Sequence, residues 1–440
     1  MRPNLLIVMV DQMQAQLLDP DSPAALPLPN LEALRARSTR FTHAFCPAPI
    51  CTPTRASFQL SCGVDRHGVI GNDRPMPADI PTLPERLRAV GYATGYVGKW
   101  HLDPDNPRGW QTLDDAYPKP GFDPGFDFGK HVMAGIDAPH QGVAPYGDDD
   151  HLDGRVLHHG LSLLERLGSG STPWAAMVSF YGPHAPYYVP RKWYDLFDPD
   201  EIDLPADFDE PFVNKPDVER TFRCRAWGQT WSERKWRAIR AAYFGYCAML
   251  DDLVGRLLAD VGDDTAVLFL SDHGEMNGHH RMIYKGPMMY EQLVRVPALL
   301  RLPGGEAARV DDRLVQTQDF TATLLGLARC DAAERVHPGD GIDLLDPDAP
   351  TRTHVVSEFY EANWVTPPVH QRVGMCRSRD WKYVLTEGQG EALYDMRAPV
   401  VEVENRIASA PPEADLPGLR AGLAGSVSWA AGVAESGNKS

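Results

Sequence analysis

The segment Cys51-Thr52-Pro53-Thr54-Arg55 concentrates reactive and charged side chains in a way that core packing does not require. Pro53 fixes φ near the helical value and suits a first helical turn, so Cys51 is expected at a loop-to-helix junction. Backbone N–H groups left free at such a turn, together with Arg55, would favour an anion beside the sulfur. An isolated cysteine in a proline-rich turn reads better as a small buried hydrophobe, so a functional reading needs partners from elsewhere in the chain.

Candidate partners stand at the ends of apolar runs. Residues 5–10 lack alternation, as a strand buried on both faces does, and lead into Asp11. Residues 93–97 run into Gly98-Lys99-Trp100-His101, where strand alternation would put Lys99 and His101 on one side. Residues 174–180 end in a turn that presents His184 between Pro183 and Pro186. Residues 266–270 exit through Ser271-Asp272-His273-Gly274, and Lys285 follows on a loop. Singly, each has a plain reading as a cap, a solvated cation or a polar turn. Together they fall at strand ends of one predicted sheet, and a doubly wound sheet gathers such positions along one edge. Two carboxylates and an imidazole are a donor set for a divalent cation. Arg55, Lys99 and Lys285 suit an anionic group beside it, which points to hydrolysis of a sulfate or phosphate ester.

Periodicity supplies the elements that must hold these residues. A short extended piece is expected at 41–45 and a strand at 296–302, with helices over 29–37, 82–90, 157–167, 235–258 and 320–327. Irregular insertions at 102–154 and 193–229 are expected to wall the pocket, with Tyr187, Tyr188, Trp227, Trp231 and Trp364 as candidate aromatic surfaces. After Pro338-Gly339-Asp340-Gly341 the pattern changes to shorter strands at 354–359, 372–378, 381–385 and 392–394, and the tail from Ala408 is uninformative. The expected architecture is α/β: a mostly parallel central sheet flanked by helices over residues 1–345, then a smaller α+β domain with an antiparallel sheet over 346–440.

Composition narrows the function classes. A chain of 440 residues, 43% hydrophobic and 23% charged, can bury a large core. Its formal charge of -17 argues against nucleic acid or an anionic membrane as a partner. Seven cysteines, odd in number and without CxxC spacing, argue against a disulfide framework or a thiolate zinc site and fit a reducing compartment. Residues 5–10 are too short for a signal-peptide core, and no stretch approaches the ~20 apolar residues of a membrane helix, so a cytoplasmic location is expected. A homo-oligomer is left open.

On these residues the chain resembles the type I, formylglycine-dependent sulfatases of the alkaline phosphatase superfamily. The resemblance runs through LLIVMVDQ, LPNLEALRARSTRFTHAFCPAPICTPTRAS, GYATGYVGKWHLD, FYGPHAPY, LFLSDHGE, KGPMMYEQLVRVPALLR and RDWKYVLTEGQGEALYDM. It implies an alkaline phosphatase-like fold and a sulfate monoester substrate, either a small molecule or a saccharide. In that family Cys-x-Pro-x-Arg is the signal that a formylglycine-generating enzyme reads, which implies that enzyme as a maturation partner and an aldehyde at Cys51. The resemblance further implies that the hydrated aldehyde attacks sulfur and that Asp11, residue 51, Asp272 and His273 hold the metal. Arg55 and Lys99 would hold the diol, and His101 would take the proton that lets the sulfated hemiacetal collapse. His184 and Lys285 would serve the leaving-group side as general acid and sulfate clamp, and Asn72 would touch the bound ester.

Many sulfatases carry two successive acids after the first strand and Asp-Asn later, whereas here the pairs are Asp11-Gln12 and Asp272-His273. This version resembles choline sulfatases and phosphonate monoester hydrolases. Calcium is expected on family grounds, with manganese and magnesium as alternatives, because His273 brings a nitrogen donor. The same departure raises a phosphonate monoester or phosphodiester hydrolase as the runner-up. The Lys99-x-His101 pair, which those enzymes lack, favours sulfate. A silent binding protein on this fold would show erosion of the nucleophile or ligands, and none is visible.

Overall fold

A computed structural model describes residues 2–72, 74–102, 108–112, 140–305, 308–330, 341–362 and 368–431. At its centre is an eight-stranded sheet built from β1 (Asn4–Val10), β2 (Thr39–Phe45), β3 (Ala93–Gly98), β4 (Gln111–Thr112), β6 (Trp174–Ser179), β8 (Thr265–Ser271), β9 (Ala298–Arg301) and β10 (Arg309–Gln316). Strands β5 (Gln141–Val143) and β7 (Tyr187–Val189) pair separately. The order is β10-β2-β9-β8-β1-β6-β3-β4. Strand β1 lies between β6 and β8, parallel to both, and residues 5–10 are fully buried, which is why the run shows no alternation.

Strand β9 runs antiparallel to both β2 and β8. A parallel neighbour needs a crossover back to the starting edge of the sheet, and an antiparallel one does not. Residues 272–297 therefore stay near the edge where β8 ends, and this segment carries His273 and Lys285. Strand β10 has no counterpart in the sequence reading. Its first half, Arg309-Val310-Asp311-Asp312, is largely exposed and charged, as befits the edge of a sheet.

The helix Cys51–Leu60 is buried along all ten residues. It packs on the helix Thr317–Leu327, where the Thr321 hydroxyl donates to the Phe58 carbonyl at 2.5 Å. The helices Leu152–Gly168 and Glu233–Leu258 start earlier than periodicity suggested, the second with Ser232 as a side-chain cap. The insertion expected to be irregular at 193–229 contains the short helices Asp217–Thr221 and Arg223–Thr230. Tyr187, Trp227 and Trp231 are buried, while Tyr188 is half-buried. Trp364, Pro338-Gly339-Asp340 and much of the insertion at 102–154 lie outside the described residues.

Strands β11 (Val355–Ala362), β12 (Val369–Arg377), β13 (Trp381–Thr386) and β14 (Gly390–Asp395) form an antiparallel sheet in that order. One set of its side chains, including Phe359, Val373, Met375 and Val384, joins the apolar core of the large sheet. Another set, Trp381, Tyr383 and Leu393, packs under Leu419 and Leu423 of a helix Leu416–Ser426 in the tail. Among the described residues, no helix is long and apolar enough to cross a membrane.

Candidate active site

Four strand ends and one helix start meet at the site. The Asp272 N–H bonds back to the Val10 carbonyl at 3.2 Å, and the Asp11 N–H donates to Gly182 O at 2.9 Å. Strand β3 stops at Gly98, whose φ is +96° and where any Cβ would sit 2.0 Å from Ser179 O. Only glycine fits there, and the turn it permits lets the Lys99 N–H donate to Ser179 O at 2.8 Å. Lys99 and His101 therefore do not alternate along a strand. His101 has a positive φ of 53°, and both side chains nevertheless reach the Cys51 sulfur, Lys99 Nζ at 3.7 Å and His101 through a side-chain hydrogen bond.

Cys51 is the first residue of its helix and is 1% exposed. The free N–H groups anticipated at this helix start are partly taken. Asn72 Oδ1 accepts from the Thr52 N–H at 3.1 Å, Pro53 has no N–H, and the Thr54 N–H bonds Ile50 O at 3.3 Å. The visible work of Asn72 is thus to cap the helix that presents Cys51.

Ligand atoms of Asp11, Cys51, Asp272 and His273 all lie within 4.8 Å of one another and are buried. His273 Nδ1 is 2.8 Å from Gly274 O; a carbonyl only accepts, so the proton sits on Nδ1 and the lone pair of the neutral ring is on Nε2. That Nε2 is 3.2 Å from Cys51 Sγ and 4.0 Å from Asp11 Oδ1. Arg55 ties the two acids together: Nη2 donates to Asp11 Oδ2 at 3.1 Å and Nε to Asp272 Oδ2 at 2.9 Å, while Nη1 reaches Lys99 O and Ser179 Oγ. Lys99 Nζ also donates to Asp11 Oδ2. All of this binds Asp11 through Oδ2, so Oδ1 is the oxygen that faces His273 and the sulfur.

Burial opposes ionisation throughout, and the arranged charges overcome it selectively. Against burial, the Cys51 thiol is pulled well below its ordinary range by Lys285 and Lys99. Against burial and the Cys51 charge, Asp11 is held low by Lys99 and Arg55. Asp272 is pushed up by burial and by Asp11.

Lys285 Nζ donates to Gln12 Oε1 at 2.7 Å and to His184 Nε2 at 2.9 Å. His184 Nδ1, 2.5 Å from Ala185 O, carries the ring proton. Burial, Lys285 and Lys99 lower His184 to about 4. Gln12 has φ +74° and its Nε2 donates to Glu275, so its amide oxygen is turned to Lys285. Sequence reasoning did not single out Glu275, Ser179 or Asp153 as site residues. Glu275 stands within the quoted LFLSDHGE, but nothing marks it as the partner of Gln12.

Strand-end carboxylates, one imidazole lone pair and a fan of cations around a helix-borne residue define a hydrolase of oxyanion esters built on an alkaline phosphatase-like sheet. Residues 3–330 match the sulfatase family, and residues 278–416 match the C-terminal part of N-sulphoglucosamine sulphohydrolase. The chain belongs to the sulfatase family and is a sulfuric ester hydrolase. It is 32% identical over 434 residues to a choline-sulfatase of Rhizobium meliloti (strain 1021), covering 92% of this chain and 82% of the relative. Its fold matches a 2-O GAG sulfatase with a TM-score of 0.78 at 23% identity over 99% of this chain and 94% of that one. It also matches a phosphonate monoester hydrolase of Agrobacterium radiobacter with a TM-score of 0.76 at 24% identity, over 96% of each chain.

Proposed function

We propose that the chain cleaves a sulfate monoester using an aldehyde made from Cys51 and one divalent metal ion. The observation that carries this reading is the convergence of Lys99, His101 and His273 on the sulfur of a wholly buried residue 51. The donor set fits a cation: Asp11 Oδ1 and the His273 Nε2 lone pair face each other at 4.0 Å, an arrangement that a bound cation relieves. Asp11, residue 51, Asp272 and His273 would hold the ion, which supplies Lewis acidity and lowers the pKa of an oxygen nucleophile. Calcium is the family expectation, and the His273 nitrogen equally suits manganese. The hydrated aldehyde offers two hydroxyls on one carbon, which a thiol does not.

Arg55 aligns the two acids, and Lys99 sets a positive charge between Asp11 and residue 51. His101, hydrogen-bonded to residue 51, is placed to take a hydroxyl proton there. Lys285 and His184 share one contact, with the proton on Lys285 Nζ and His184 Nε2 accepting, and the pair serves the leaving oxygen. The low pKa of His184 belongs to the site without an anion, and a bound sulfate group opposes it. Gln12 steers Lys285 without adding negative charge.

The alcohol half is a small molecule or a saccharide; choline sulfate and glycosaminoglycan sulfates are the kinds of substrate that the names of similar proteins indicate. A formylglycine-generating enzyme is the maturation partner. The runner-up, phosphonate monoester or phosphodiester hydrolysis at the same site, draws support from the neutral Gln12, and the Lys99–His101 pair weighs against it. Mass spectrometry of the Cys51 peptide after co-expression with the generating enzyme tests the aldehyde; active protein with an intact thiol overturns it. Side-by-side turnover of aryl sulfate, phosphonate monoester and phosphodiester separates the two substrates.

A further inference from the structure

We propose that Asp153 is a positioning residue for the leaving-group side of the site, acting through the turn that carries His184. This rests on the general-acid reading of the His184–Lys285 pair.

Asp153 lies in the first turn of the helix Leu152–Gly168 and is fully buried. Its Oδ1 accepts the Tyr181 N–H at 2.6 Å, and its Oδ2 accepts the Gly182 N–H at 3.0 Å and the Tyr246 hydroxyl at 2.8 Å. Both peptide donors come from the start of the turn that follows β6. Gly182 then offers its carbonyl to the Asp11 N–H, and His184, two residues on, meets Lys285 Nζ. One carboxylate therefore sets the position of a metal-ligand backbone and of the imidazole that accepts from Lys285 together.

His151 Nδ1 lies 4.0 Å from Asp153 Oδ2, beyond hydrogen-bond reach of the carboxylate. That Nδ1 is 3.2 Å from the Asp153 N–H, and Nε2 of the same ring is 3.1 Å from Tyr188 O. A buried carboxylate held chiefly by hydrogen bonds is costly unless its donors are fixed. Gly182 fits that demand, since a Cβ there would sit 2.3 Å from the Tyr246 ring and 2.9 Å from Asp153 Oδ2. Helix capping alone requires neither the turn donors nor the Tyr246 hydroxyl.

The test compares a phenol-leaving aryl sulfate, which needs little protonation, with an alkyl sulfate, which needs much. In aldehyde-bearing Asp153→Asn protein, kcat for the alkyl ester is expected to fall by roughly 30- to 100-fold and for the aryl ester by about threefold or less, with KM little changed. His184→Ala is run in parallel and should show the same selectivity more strongly. Tyr246→Phe, which removes one donor, should show it more weakly and serves where Asp153→Asn does not fold. An equal loss on both esters, or none, while His184→Ala discriminates, reduces Asp153 to a structural acid and overturns the proposal. If His184→Ala itself fails to discriminate, the general-acid reading falls and takes this proposal with it.

Discussion

Two buried clusters of charge invite comparison, the one around Cys51 and another between the segment 279–291 and the small sheet. In the second, Lys215 Nζ bonds Glu210 at 2.5 Å and the Glu402 carbonyl at 2.6 Å, while Lys382 Nζ bonds Glu402 at 2.6 Å and Glu291 at 2.8 Å. Arg377 adds to Glu291 at 3.2 Å, and His280 stacks on Tyr290 at 3.9 Å. Burial would raise the Glu291 carboxyl, but Lys382, Arg377 and Arg295 hold it below the ordinary range. Each charge there is met by an opposite one. Around Cys51 the cations instead bind the outer oxygen of Asp11, and the inner oxygen, an imidazole lone pair and residue 51 are turned toward one another. Burying charge does not by itself make a site; leaving donor atoms turned inward does.

The comparison can be broken most sharply at residue 51. Cys51→Ala is expected to cut kcat on the order of 10⁵-fold or more, read by sulfate release, with little change in melting temperature. Removing the metal is the next test. A chelator should abolish turnover reversibly, and adding the ion back should raise the melting temperature, since it binds only the folded state. Asp272→Asn should erase that rise, and Lys215→Met should keep it. Lys285→Ala should lower kcat by about 10²- to 10³-fold while the protein stays folded. Lys382→Met should reverse the pattern, because it leaves buried carboxylates uncompensated: a loss of about 3–5 kcal/mol by denaturant titration, with kcat of the folded fraction nearly unchanged.

A smaller effect concerns a third kind of buried acid, one without a cation. Glu358 accepts from the Tyr360 hydroxyl at 2.5 Å and the Asp65 N–H at 3.3 Å, and burial raises it from 4.5 to about 7. The folded state then holds the proton more tightly than the unfolded chain. Its contribution to stability is present below the unfolded pKa and is lost as pH rises through about 7. Glu358→Gln should flatten that part of the melting-temperature profile over roughly pH 5 to 8.

Strands β1, β6 and β8 were legible because full burial on both faces leaves an unbroken apolar run, and the residue just past such a run is exposed to the sheet edge by topology. That logic reaches Asp11, His184 and Asp272. It does not reach Glu275, Ser179 or Asp153, whose contacts hold other residues and whose partners are far away in sequence. Strand β10 was hidden because half of it faces solvent, and the helix Leu416–Ser426 because its Gly and Pro content reads as a tail. The relation of Lys99 to His101 was misjudged as strand alternation, since one glycine with a positive φ ends the strand before them.

The complete burial of the helix Cys51–Leu60 carries a consequence for the order of events in the life of the chain. If residue 51 becomes the proposed aldehyde, a sulfur that is 1% exposed in the finished fold calls for oxidation before the sheet closes over it. Cys51 and His273 are 222 positions apart. At about 5–20 residues per second, the ribosome takes roughly 10 to 45 seconds to cover that distance. On that reading, the interval between the emergence of the first and of the second is an opening for making the aldehyde before the sheet can close over residue 51.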